Sequence, residues 1–232
     1  MKEPAAAISW SNGLGEIPEL ETGACHLWEL QPSHAYAALL GPRETERYHA
    51  VTNEEVKISF ATSQGGLRTI CAIYQKCHPS EIRLERAEHG KPFLAGGPHF
   101  NLSHTAGRIF AAFSPQPLGL DVESASRRVQ ARALAAKFFS PTEAARVCAL
   151  DEAAAQAAFL RYWVGKEATV KLSGDGIFHG LRDARVELGE GGISHGEYRG
   201  RTVCLREFSP ADGLLAALAS WEPVEVKGFF RI

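Results

Sequence analysis

The chain has 232 residues, of which 45% are hydrophobic and 22% charged, as in an ordinary soluble globular protein. Its net charge of −2 creates no overall field toward nucleic acid or a membrane, so neither is expected as a partner. The start lacks a signal-peptide core, no apolar run approaches the ~18 residues that span a bilayer, and the five cysteines form no Cys-x-x-Cys pair. These features predict a cytoplasmic protein with reduced thiols.

The first half of the chain predicts strands, a helix and then a turn-rich segment. Residues 25–30 alternate like a strand, and residues 44–74 have helical spacing that Gly65-Gly66 weakens. Residues 82–86 alternate again, and glycines and prolines punctuate 90–98. A strand at 108–114 follows, and Pro115-Gln116-Pro117 then breaks the chain.

The second half repeats this plan loosely. It predicts a strand at 118–123, a helix that starts at Ser140-Pro141-Thr142-Glu143, and a long Ala-rich helix at 151–172. Further strands are predicted at 184–188, 202–208 and 214–221. The sequence therefore predicts an α+β fold of two similar lobes, 1–117 and 118–232, with the functional site between them.

Two carboxylates lie close together in the strand at 118–123. Asp121 and Glu123 alternate with Leu120 and Val122, so period two places both acids on one face. Adjacent carboxylates repel unless a cation bridges them or one is protonated, and hard oxygen ligands favour Mg²⁺. The alternative is an exposed polar face at a sheet edge.

The long helix carries a third acid on an ordered stripe. Phe159, Trp163, Glu167 and Lys171 are spaced four apart, and the two aromatics should face the interior. Glu167 then lies near the inner edge, where a metal shared with Asp121 would neutralise it. The alternative is an ordinary Glu–Lys surface pair. Glu143 is a fourth candidate acid, although its place in a capping box explains it without function.

Polar and basic side chains that suit a phosphate precede and follow these acids. Asn101, Ser103 and His104 place three donors in four positions, or else form a polar loop, and Lys91 lies in a Gly-Lys-Pro turn, or is simply solvated. A basic stretch at 124–146 contains one acid, Glu143. Its basic residues serve either an acidic partner or a solvated helix face; they are Arg127, Arg128, Arg132, Lys137 and Arg146.

Several segments occur in an order that resembles the surfactin-type 4′-phosphopantetheinyl transferases. The resemblance runs from about residue 41 to 188 and is strongest in the motifs that contain Asp121 and Glu167. The segments are Gly90-Lys91-Pro92, Asn101-Leu102-Ser103-His104, Gly119-x-Asp121-x-Glu123, Phe138-Phe139-Ser140-x-x-Glu143 and Trp163-x-x-Lys166-Glu167-Ala168-x-x-Lys171.

The resemblance implies a monomer whose two lobes are related by pseudo-twofold symmetry, each with a long helix packed on a small antiparallel sheet. It implies transfer of the phosphopantetheine arm of coenzyme A to a serine of an acyl or peptidyl carrier protein, with release of 3′,5′-ADP. The carrier would serve fatty-acid, polyketide or nonribosomal-peptide biosynthesis.

The resemblance also implies roles for particular residues. Mg²⁺ would bind Asp121, Glu123 and Glu167 and be shared with the pyrophosphate of coenzyme A. The residues implied for coenzyme A are Arg47, Arg86, Lys91, Ser103, His104, Asp121 and Lys171. The family commonly has a basic residue near 59–64 that this chain lacks, and Glu44 stands where some members have Lys. Two alternatives follow: either the pocket for the 3′-phosphate is less basic in this chain, or Arg43 substitutes for the missing charge.

The implied chemistry is phosphoryl transfer. Lys91, His104 and Lys171 would supply fixed positive charge, and Glu167 would act as general base, with Glu143 in reserve. Two alternatives remain open from the residues: a metal-dependent nucleotide phosphohydrolase, which needs no protein acceptor, and a non-catalytic homologue that binds carrier proteins.

Overall fold

The structure is a computed structural model that describes residues 10–12, 17–176, 180–189 and 191–232. Its α-helices are Pro42–Ala50 (α1), Glu54–Ala61 (α2), Leu67–Gln75 (α3), Ala131–Phe138 (α4), Pro141–Cys148 (α5) and Glu152–Ser173 (α6). Short 3₁₀-helices lie at His34–Leu39 and Pro79–Glu81. The expectation about a signal peptide concerns residues 1–9, which lie outside the described residues. Within the described ranges, none of the helices has the length and apolar character needed to cross a bilayer.

The strands of the described residues form two five-stranded sheets and one small ribbon. They are Ser11–Asn12 (β1), Ala24–Leu30 (β2), Glu85–Arg86 (β3), Pro92–Phe93 (β4), His99–Thr105 (β5), Arg108–Ser114 (β6), Leu118–Ser124 (β7), Ala184–Gly189 (β8), Gly192–Tyr198 (β9), Arg201–Phe208 (β10), Leu214–Ser220 (β11) and Glu225–Arg231 (β12). The first sheet has the order β1-β12-β2-β6-β5, the second β7-β11-β10-β9-β8, and β3 pairs with β4. All pairings are antiparallel except those of β12, which runs parallel to both β1 and β2.

The two large sheets pack face to face, and each has a helix on its outer side. Leu27 of β2 faces the second sheet and meets Leu120 of β7, whereas its neighbour Trp28 faces Ile70 of α3. Ala217 of β11 packs against Ala168 of α6 on the far side of the second sheet. Because both faces of the first sheet are covered, every residue of β2 is buried. The predicted α+β class is confirmed.

The helix predicted over 44–74 is interrupted. It forms α1, α2 and α3, with a π-helical turn at Thr62–Gly66 between the last two. Asn53 caps α2 by accepting from the amide of Val56, which separates it from α1. A Cβ on Gly65 would lie 2.2 Å from the carbonyl oxygen of Tyr36, so only glycine permits this close approach. The helix α4 and the strands β9 and β12 were not predicted.

The division of the chain after residue 117 and the pseudo-twofold relation of the lobes stay predictions. The segment 115–117 does connect β6 of the first sheet to β7 of the second. However, β12 returns to the first sheet, where it lies between β1 and β2. The chain therefore crosses between the sheets twice.

Candidate active site

The site lies where the edge strands β5 and β7 of the two sheets meet. No backbone ladder joins them; side chains of β5 bind the backbone of β7 instead. Asn101 Oδ1 accepts from the amide of Leu120 at 2.8 Å, and Ser103 Oγ accepts from the amide of Val122 at 3.0 Å. The hydroxyl of Ser103 in turn donates to Oδ1 of Asp121 at 3.0 Å. The Asn-Leu-Ser segment thus holds Asp121 in a fixed, buried position.

Gly119 brings the long helix onto this strand. A Cβ at Gly119 would lie 2.0 Å from the carbonyl oxygen of Ala168, so any larger residue would push α6 away from β7. This contact sets Glu167 and Lys171 beside Asp121. It also gives a physical reason for the glycine of the Gly-x-Asp-x-Glu motif.

Lys171 pairs with the acids from the helix side. Its Nζ lies 2.6 Å from Oδ1 of Asp121 and 3.7 Å from Oε2 of Glu167, and it also contacts the carbonyl oxygen of Leu120 at 3.2 Å. The second carboxylate oxygen of Asp121, Oδ2, is buried and has no hydrogen-bond partner among the described residues. A buried carboxylate oxygen without a partner is costly, and a cation would satisfy it.

The three predicted ligand carboxylates converge, and their charges act on one another. Burial, followed by the charge of Asp121, raises the pKa of Glu123, while its ion pair with Arg127 opposes the rise. Burial, again followed by the charge of Asp121, raises the pKa of Glu167 to about 7. Within the described residues, no three His, Cys, Asp or Glu side chains already form a metal-binding group. The carboxylates pair with Lys171 and Arg127 instead.

Lys91 anchors its turn to the strand β7 and the helix α6. Its Nζ donates to the carbonyl oxygen of Lys171 at 2.5 Å and to that of Leu118 at 3.2 Å. Burial, and then the nearby charge of Lys171, lowers the pKa of Lys91 to about 8. The ammonium group of Lys91, which is predicted to contact a phosphate, is thus already held in place by two backbone carbonyl oxygens.

A cavity of about 490 Å³ opens beside these groups. Basic side chains line it from several elements. Arg86 comes from β3, Lys91 from the turn-rich segment, His104 from β5 and Lys171 from α6. No aspartate or glutamate of the described residues is among its lining residues. The cavity is thus suited to an anionic ligand.

His104 is held by Ser63, which no sequence motif marks as a site residue. Its Nε2 lies 2.7 Å from Oγ of Ser63, which lies in the π-helical turn. Loss of solvent, and then the charge of Lys171, lowers the pKa of His104. The only signal in the sequence was the Gly65-Gly66 pair that marks the irregular turn.

A second cavity, of about 640 Å³, shares Arg86 with the first. Arg43 and Arg47 also line it, and the guanidinium of Arg47 lies 4.9 Å from the ring centre of Phe60. Glu44 also lines this cavity, but its negative charge is already paired with Arg68, at 2.8 Å. Arg43, Arg47 and Arg86 thus form one basic surface next to the first cavity.

Glu143 is placed apart from the other acids as a structural residue. The predicted capping box with Ser140 is confirmed, and Glu143 also accepts from the amide of Val186 at 2.9 Å. Its carboxylate forms a buried ion pair with Lys166 at 2.8 Å. Both carboxylate oxygens of Glu143 are engaged by these partners, so neither is free to act as a general base.

The basic stretch is less positive in the fold than in the sequence. Three of its arginines pair with acids; the pairs are Arg127 with Glu123, Arg132 with Glu152 and Arg146 with Glu187. Arg128 and Lys137 form no ion pair with any described residue. These two cations are what remains of the local charge.

Known proteins match this chain over most of its length. The family model described as the 4′-phosphopantetheinyl transferase superfamily matches residues 117–219. The 4′-phosphopantetheinyl transferase HetI of Nostoc sp. is 30% identical over 218 residues, which are 85% of this chain and 90% of that protein. The 4′-phosphopantetheinyl transferase Sfp of Bacillus subtilis is 26% identical over 164 residues, 70% of this chain and 72% of that protein. The 4′-phosphopantetheinyl transferase psf-1 of Bacillus pumilus is 34% identical over 114 residues, 48% of each chain.

Proposed function

Because this chain belongs to the 4′-phosphopantetheinyl transferase superfamily, and is an enzyme of that class, we propose that it moves the 4′-phosphopantetheine arm of coenzyme A to a serine of an apo carrier protein, in a Mg²⁺-dependent reaction that releases 3′,5′-ADP. The observation that carries the site assignment is the convergence of Asp121, Glu123 and Glu167 next to a basic cavity. The three carboxylates would supply the metal ligands, and the basic cavity would hold the pyrophosphate.

The donor set fits a hard divalent cation. All three groups are carboxylates, as Mg²⁺ prefers, and Oδ2 of Asp121 is buried without a partner among the described residues. Asp121, Glu123 and Glu167 would hold the ion. When bound, Mg²⁺ supplies neutralisation of the charge on the pyrophosphate and the leaving group.

The chain's own residues divide into three roles. Lys171, Lys91 and His104 place positive charge along the cavity, where charge develops on the phosphates. Arg47 and Arg86 take the 3′-phosphate, with Arg43 beside them in the second cavity. Ser103 would contact the phosphates, and its hydroxyl orients Asp121.

Glu167 acts as general base on the carrier serine. A base works best when its pKa lies near the working pH, and the pKa of Glu167 is raised to about 7 by burial and by Asp121. Lys171, 3.7 Å away, stabilises its ionised form.

The same proposal covers the setting of the enzyme. It is a cytoplasmic monomer whose partners are coenzyme A and an acyl or peptidyl carrier protein, and neither nucleic acid nor a membrane takes part. The moderate net charge supports this view.

A mass measurement on the carrier tests the proposal. The full chain is incubated with coenzyme A, Mg²⁺ and a panel of apo carrier proteins from fatty-acid, polyketide and nonribosomal-peptide systems. A mass gain of one phosphopantetheine on at least one carrier, abolished by a chelator, is the expected result. Cleavage of coenzyme A without a carrier would indicate the phosphohydrolase instead, and carrier binding with no mass gain would indicate the non-catalytic homologue.

A further inference from the structure

The contact between Ser63 and His104 determines which of the two side chains donates the hydrogen bond. The hydroxyl of Ser63 lies 2.7 Å from the carbonyl oxygen of Ser59 and 2.7 Å from Nε2 of His104. A hydroxyl has one proton to donate, and a carbonyl oxygen can only accept. Ser63 therefore donates to Ser59, and its oxygen must accept from His104.

The proton on the shared edge then belongs to the imidazole. His104 carries its hydrogen on Nε2 in the neutral ring, and Nδ1 is left with a lone pair. Nδ1 has no hydrogen-bond partner among the residues that the structure describes. It is the ring nitrogen that remains for a ligand in the cavity that His104 lines.

The lone pair on Nδ1 of neutral His104 would repel an anionic ligand, because it can accept a hydrogen bond but cannot donate one. The charged groups that line this cavity are Arg86, Lys91 and Lys171, and His89 is its other titratable side chain. The positive charges of Arg86, Lys91 and Lys171 disfavour protonation of His104. A bound phosphate would neutralise these charges and so favour the protonated imidazolium.

We propose that Ser63 is a positioning residue that locks His104 in the Nε2–H tautomer, so that His104 meets an anionic ligand through Nδ1 and gains a proton there when the ligand binds. The proton comes from solvent, and the imidazolium then donates Nε2–H to Ser63 and Nδ1–H to a phosphate oxygen. The lowered pKa of the free residue agrees with this, since the ring is neutral before binding. The ligand part rests on the proposed function, because it takes coenzyme A as the anion, whereas the tautomer part does not.

Long-range proton–nitrogen NMR of ¹⁵N-histidine protein reports the tautomer directly. The chain has nine histidines, and His104→Gln identifies the resonances of His104. In the wild type at pH 8, without ligand, we expect the Nε2–H pattern. In Ser63→Ala we expect a mixture of the two tautomers. Ser59→Ala is the matched control, because it removes a hydroxyl one helical turn earlier, in α2, and keeps the carbonyl that accepts from Ser63.

Titration with ligand tests the proton uptake. Inorganic pyrophosphate and coenzyme A, each without carrier protein, should raise the pKa of His104 in the wild type. An Nδ1–H tautomer in the free wild type, an unchanged pattern in Ser63→Ala, or an unchanged pKa at saturating pyrophosphate would each overturn the proposal. A protein that shows the expected tautomer and responds to pyrophosphate, but does not bind coenzyme A, would contradict the proposed function and leave the role of Ser63 standing.

Discussion

The ammonium group of Lys171 lies 2.6 Å from Oδ1 of Asp121, at the centre of the proposed metal site. The helix α6 and the strand β7 are thereby joined by charge as well as by the close approach at Gly119. Only one oxygen of Asp121 is used in this pair, and the other faces inward unpaired within the described residues. A divalent cation would therefore bind beside Lys171 without having to replace it at Oδ1.

The metal-ligand assignment predicts a large loss from Asp121→Ala. Turnover should fall on the order of 10²-fold or more, because a group that stabilises charge in the transition state is removed. Glu123→Ala and Glu167→Ala should behave alike. The measurement is the rate of mass gain on an apo carrier at saturating Mg²⁺. Asp212→Ala, at an exposed acid, is the control, and near-normal turnover of Asp121→Ala would refute the assignment.

Metal binding should release a proton from Glu167. In the metal-free protein its pKa is raised to about 7, so near neutral pH part of the protein holds that proton. The ionised form binds Mg²⁺, so the affinity for Mg²⁺ should weaken as the pH falls below 7 and change little above 8. Calorimetry in buffers of different ionisation enthalpy counts the released protons. Glu167→Gln should release none, and equal release by this variant would assign the proton elsewhere.

Glu143→Gln should lower stability and spare catalysis. Glutamine keeps the capping interactions but leaves Lys166 as an uncompensated buried charge, which costs ~3 kcal/mol or more. Denaturant unfolding measures the loss, and turnover per folded molecule should stay close to that of the wild type. Adding Lys166→Met should recover part of the stability. If turnover vanished while the melting temperature did not change, Glu143 would belong to the active site.

Docking of a carrier on the basic stretch is best tested at Arg128, which together with Lys137 forms no ion pair with a described residue. Because Arg127 pairs with Glu123, a change there would disturb a proposed metal ligand. Arg128→Glu should raise the apparent KM for an acidic carrier and leave the KM for coenzyme A unchanged, and added salt should reproduce this effect in the wild type. Arg185→Glu makes the same charge change at an exposed site on β8. Equal carrier KM values for both variants and the wild type would place the docking surface elsewhere.

The sequence predicted those parts of the site that depend on local periodicity. Alternation along β7 placed Asp121 with Glu123, and the four-residue spacing along α6 placed Glu167 near the buried aromatics; both arrangements are present. Partners set by tertiary packing were not predictable in this way. Ser63 is 41 residues from His104, and no spacing rule connects them.

The same limit applies to the pairing of charged side chains. Lys166 and Arg127 look like surface cations in the sequence, since nothing near them shows which acid they will meet. Lys166 is fully buried because α5 brings Glu143 to it, and no spacing rule connects these two residues, which are 23 positions apart in the chain. A net charge summed along a segment therefore overstates the free charge of a folded surface.

The parallel strand β12 has a consequence for how the protein is made. It lies between β1 and β2, and its Arg231 pairs with Glu29, 202 positions earlier in the chain. During translation the first sheet must wait, with an edge of β2 unpaired, until almost all of the described chain has left the ribosome. Folding with such distant contacts is slow, and an open edge invites pairing with other chains.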